Sequence, residues 1–118
     1  FENLAITFVK FTRELTSETI TDIRKAGRKL ESQTPTPTIL IMRGMGLGYD
    51  GVVISLHKNY ASFMELARMT KQLPFVDISR VESFLVNLAD EKPYRHLILS
   101  AFANYISKLK EKGNQNYE

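Results

Sequence analysis

The chain has 118 residues, 43% hydrophobic content and a net charge of +3, which suits one globular domain around a single core. No apolar run reaches the roughly 18 residues of a membrane span. The absence of cysteine excludes a disulfide framework, a thiolate zinc site and a cysteine nucleophile. The mild positive charge permits an acidic partner but falls short of a nucleic-acid-binding signature. A cysteine-free chain fits the cytoplasm. The opening Phe1-Glu2-Asn3-Leu4 has neither an initiator Met nor a signal-peptide pattern, and reads as a piece of something longer.

The first predicted element is a strand over 4–11. Leu4, Ile6 and Phe8 lie on one face and Ala5, Val9 and Phe11 on the other, so the strand is expected to be central and covered on both sides. A helix follows over 17–33. Thr16 is its expected N-cap, Leu15 and Ile20 form a hydrophobic staple, and Ile20, Ile23, Gly27 and Leu30 make a narrow apolar stripe. Arg24, Lys25, Arg28 and Lys29 read as a solvated face whose cations complement the helix C-terminus. The Thr34-Pro-Thr-Pro-Thr38 stretch stops the helix, because proline disfavours helical geometry at the preceding residue.

Two short β-branched runs, 39–42 and 52–56, then read as strands. Between them, four of the chain's six glycines fall within residues 44–51. Glycine admits positive φ and close backbone approach, so this segment is either a hairpin that simply needs to turn or a loop shaped around a ligand. A second helix starts at Asn59, its expected cap, with Tyr60, Phe63, Met64, Ala67 and Leu73 on its buried side, and closes at Pro74. Residues 75–88 return to an extended pattern whose phase changes near Arg80, the signature of a bulge. A last amphipathic helix is predicted over 93–112, with Pro93 in its first turn. It carries Tyr94, Leu97, Ile98, Ala101, Phe102, Tyr105 and Leu109, with Gly113 as its C′ residue and a frayed tail at 114–118.

The order is strand, helix, strand, strand, helix, strand and an added helix. It predicts an α+β single domain, residues 1–118. Its core, 4–88, is a ferredoxin-like βαββαβ sandwich with both helices on one face of an antiparallel sheet. Apolar residues on the opposite face call for cover by the last helix and by a second copy of the sheet, so a homodimer or higher homo-oligomer is expected.

At this point the residues meet a family. The βαββαβ order, Gly48-Tyr49-Asp50 before the strand 52–56, the helix ending in Leu73-Pro74 and the final Phe84-Leu-Val-Asn-Leu88 resemble the effector-binding domain of the leucine-responsive regulator and AsnC family. The resemblance spans roughly 4–88. It implies a dimeric domain of a transcription regulator that binds an amino acid or related small effector near this turn. Carried over by position, the ligand-binding residues are Gly46, Gly48, Tyr49 and Asp50. The chain departs from the family pattern in its extra turn glycines, its last helix and the lack of the helix-turn-helix that would contact DNA.

The remaining chemistry is sparse. Gly44-x-Gly46-x-Gly48 precedes a strand and not a helix, so no dinucleotide or phosphate cradle is expected. His57 and His96 have no metal-ligand spacing and read as ordinary histidines. Ser55 and His57 share a strand face but lack a nucleophile elbow and a positioned acid. Asp77 and Glu82 read as solvated strand positions. Met42, Met64 and Met69 read as gap fillers, whereas Met45 on the turn could line an apolar pocket. No catalytic residue, metal or cofactor is assigned. The alternatives are a small dimeric enzyme with a pocket between sheet and last helix, using His57 or Tyr49 as acid/base, and a purely structural assembly module.

Overall fold

A computed structural model describes residues 1–33, 36–42, 48–92 and 94–103. Its elements are β1 (Asn3–Phe11), α1 (Ser17–Gln33), β2 (Thr38–Met42), β3 (Gly51–His57), α2 (Tyr60–Thr70) and β4 (Val76–Asn87). A further helical stretch, α3, covers 94–103. The chain is thus an α+β protein. Its four strands form one antiparallel sheet in the order β2-β3-β1-β4. Each helical crossover therefore skips one strand: α1 carries the chain past β3, and α2 carries it past β1.

Local chemistry sets the helix starts. Thr16 Oγ1 accepts from Thr19 N at 3.1 Å, and Asn59 Oδ1 accepts from Ser62 N at 2.9 Å, so both expected caps satisfy first-turn N–H groups that lack intrahelical partners. Leu15 and Ile20 both pack against the core, as a staple requires. Arg24, Lys25, Arg28 and Lys29 are exposed. They sit one turn too early to complement the C-terminus, because the last turn of α1 holds no cation.

The strands bury alternate residues on two sides. On the helix side Ala5, Thr7, Val9 and Phe11 are buried, and Val9, Phe11, Met42 and Val53 join Ile23 of α1 and Leu66 of α2 in one core. On the opposite side Leu56, Leu88 and Phe102 form a second cluster, flanked by Phe1, Leu4, Ile39, Ile54, Ile98 and Leu99. Thus α3 covers one end of the second face.

Two expected helix faces are rotated. In α2 the buried residues are Leu66, Met69 and Thr70, while Tyr60 and Met64 are exposed; the cap fixes where α2 starts, and the core it meets lies under the 66–69–73 line. In α3, Phe102 is buried and Ile98 packs on the second cluster as expected, but Tyr94, Leu97 and Ala101 are exposed, and Leu99 joins the contact. Helix α2 also stops at Thr70, with Lys71 as C-cap, before Leu73-Pro74. The expected irregularity near Arg80 is present as a register shift: Val9 pairs with Val81, but Phe11 pairs with Val76. The readings at Met45, Pro93, Tyr105, Leu109, Gly113 and 114–118 lie outside the described residues.

Candidate functional site

The residues leading into β3 carry most of the polar geometry. Gly48 has φ +80, a conformation a side-chain-bearing residue adopts only with strain. A Cβ there would also sit 3.1 Å from Arg80 Nη2, the atom that donates to Gly48 O at 3.4 Å. The positive φ is what favours glycine here; the guanidinium, the far end of a flexible side chain, has only to give way by a few tenths of an ångström.

Tyr49 turns onto the sheet face opposite α1 and α2. Its ring lies 5.5 Å from Phe8, and Phe8 meets Phe84 edge-on at 5.9 Å. Arg80 lies 5.2 Å over the Tyr49 ring, an attractive cation–π geometry. The Tyr49 hydroxyl donates to Glu82. This carboxylate holds the phenol's proton and raises the Tyr49 pKa above its ordinary value, which makes Tyr49 a poor base at neutral pH.

Asp50 faces the strand end. Its backbone N–H donates to Val9 O at 3.0 Å, its Oδ2 accepts from Phe11 N at 3.0 Å, and Lys10 Nζ lies 3.2 Å away. The carboxylate thus holds the backbone of β1 where the Val9/Phe11 register slips. Beside it opens a cleft of about 520 Å³ lined by Lys10, Phe11, Thr12, Arg13, Glu14, Leu15 and Asp50. Next to this cleft Phe75 takes φ 67, its carbonyl accepts from Thr12 N at 2.6 Å, and Arg13 caps its ring at 4.3 Å.

Of the four predicted site residues, Gly48, Tyr49 and Asp50 are contiguous but face different neighbours, and Gly46 lies outside the described residues. Sequence reasoning missed Phe8, Lys10, Arg80 and Glu82 as their partners. Strand alternation does put Arg80, Glu82 and Phe84 on one face, but nothing local links them to a turn more than thirty residues earlier.

His57 is fully buried. Ser55 Oγ lies 2.7 Å from Nε2, Ser62 Oγ lies 2.8 Å from Nδ1, and Phe63 meets the ring edge-on. Burial lowers its pKa to about 4, so the imidazole is neutral at physiological pH. A neutral ring held by two hydroxyls ties β3 to the first turn of α2. It has neither the carboxylate partner nor the solvent access of an acid/base catalyst. Asp77 and Glu82 do not act as a pair: Asp77 Oδ1 accepts from Ser79 N at 3.1 Å and from Ser79 Oγ at 2.6 Å. Among the described residues no group of three His, Asp or Glu side chains converges on a metal-sized site, and no helix is long and apolar enough to cross a membrane.

No protein-family model matches the chain, and a search of curated proteins finds no similar one.

Proposed function

We propose that the chain is a ligand-sensing and oligomerisation domain of a cytoplasmic transcription regulator, with the ferredoxin-like βαββαβ architecture of the leucine-responsive regulator and AsnC effector domains. The element order and the strand order β2-β3-β1-β4 support that architecture. The observation that carries the functional reading is the junction at residues 48–50. Three consecutive residues border both an aromatic patch on an open sheet face and a cleft with a carboxylate and cations on its wall. A small zwitterion such as an amino acid suits that cleft: Asp50 meets its ammonium, and Lys10 and Arg13 meet its carboxylate.

The test is calorimetric titration of the protein with a panel of free amino acids, wild type against Asp50→Asn. Asparagine keeps an oxygen to accept from Phe11 N but removes the charge. Wild type should bind a member of the panel, and Asp50→Asn should lose most of that binding with a nearly unchanged melting temperature. Equal binding by the variant refutes the site. A wild type that binds none of them leaves the structural assembly module as the better reading, which the existing engagement of Asp50 by Lys10 and Phe11 also supports.

A further inference from the structure

Strand β4 ends the sheet on one side, and its outer edge presents a pattern that matches itself. Leu88 N donates to Glu2 O at 2.9 Å, and the antiparallel register continues through Leu4↔Val86, Ile6↔Phe84 and Phe8↔Glu82. Bonded pairs recur at every second residue of an antiparallel ladder, so the even-numbered residues of β4 turn their backbone groups inward. The odd-numbered ones, Val81, Ser83 and Leu85, turn theirs outward to an edge with no further strand among the described residues. Three large apolar side chains stand exposed along this strand, Ile78 at 61%, Phe84 at 62% and Leu85 at 39%.

The geometry points to a second copy of this chain as the occupant of that edge, with the two β4 strands antiparallel about a two-fold axis at Val81. This deepens the assembly part of the reading above by naming its seam. In this register Arg80 of each copy stands opposite Glu82 of the other and Val81 opposite itself, while residues 77–79 lie in the register shift between Val81 and Val76 and supply no regular rung. The outward backbone groups of Val81 meet as a bonded pair. The two Arg80–Glu82 pairs then occupy the non-bonded positions, where side chains approach most closely.

Charge selects this register over its neighbours. Outward groups must meet outward groups, so the seam slides only in steps that move the axis by one residue. An axis at residue 80 sets Arg80 against Arg80, and an axis at residue 82 sets Glu82 against Glu82. Like charges directly opposite are destabilising. Charged side chains on an edge strand ordinarily repel indiscriminate pairing; here they reject two registers and favour the third. The seam also brings the two turns near each other, because Arg80 and Glu82 are the residues that hold Tyr49.

The experiment is sedimentation equilibrium on the intact chain as wild type, Arg80→Glu, Glu82→Arg, and an equimolar mixture of the two variants. Wild type should dimerise. Each variant alone opposes like charges at both pairs and should weaken self-association by about tenfold or more. The mixture should recover wild-type affinity, because in a heterodimer both pairs are of opposite sign. A wild-type dimer whose affinity neither charge variant alters, or variants that fail to rescue each other, overturns the seam and leaves the amino-acid titration untouched. A wild type that is monomeric at high micromolar concentration overturns the seam together with the assembly part of the proposed function.

Discussion

The two faces of the sheet are made by alternate residues of the same strands and yet finish in different states. On the α1/α2 side, Ala5, Thr7, Val9 and Phe11 are all but sealed, because both crossovers lay a helix over that side. On the other side α3 is the only helix among the described residues, and it closes the end near Leu56, Leu88 and Phe102. Among the described residues nothing closes the far end, with Phe8, Phe84 and Ile41, and Ile41 is 47% exposed. The first face shows how a core closes through connectivity. The second shows how a surface stays exposed where the described elements are too few to cover it.

The largest test of this contrast is Phe102→Ala. Phe102 is the buried anchor of α3, and its loss should cost about 3–5 kcal/mol in denaturant unfolding. An unchanged midpoint would show that α3 does not close the second face at all.

The second test probes the sealed face through His57, whose neutral ring links β3 to α2. In the unfolded chain His57 titrates near its ordinary pKa of 6.5, whereas in the folded chain it titrates at about 4. Between these values the unfolded state binds more protons, so the stability conferred by the neutral ring is complete above pH 6.5 and is lost as the pH falls to 4. The loss should approach roughly 3 kcal/mol, on top of whatever the carboxylates contribute. Unfolding curves of wild type and His57→Gln against pH should therefore converge on acidification. Parallel curves would mean that the ring is not held neutral.

The smallest effect is expected at the turn beside the open face. Gly48→Val must place a β-branched residue at positive φ and press on Arg80, for a cost of about 1–3 kcal/mol. It should also reduce amino-acid binding at the adjacent Asp50. A variant with wild-type stability and wild-type titration would show that the turn tolerates another path.

Much of the framework was legible in short stretches of sequence. Thr16 and Asn59 as caps, the bulge near Arg80 and the strands at 4–11, 39–42 and 52–56 all follow from interactions within a few residues, which a local pattern records. The helix faces were harder. Tyr60 and Met64 share a face with Phe63, but the core under α2 meets Leu66 and Met69 instead, and only the docking angle decides between such adjacent faces. The same limit applied at the site: Gly48, Tyr49 and Asp50 stand out as a glycine-marked turn before a strand, but their partners do not.

By itself, then, the sequence determined where the chain runs extended, where it coils and where it must turn, because backbone sterics, capping and hydrophobic period act over a turn or a pleat. Tertiary structure alone decided that Asp50 pins β1 through Phe11 N, that Tyr49 meets Arg80 and Glu82, that His57 sits between two serines, and that β4 stands last in the strand order. Each of these depends on strand order and register. Those are set by closing long loops over a shared core, and no window of neighbouring residues contains that information.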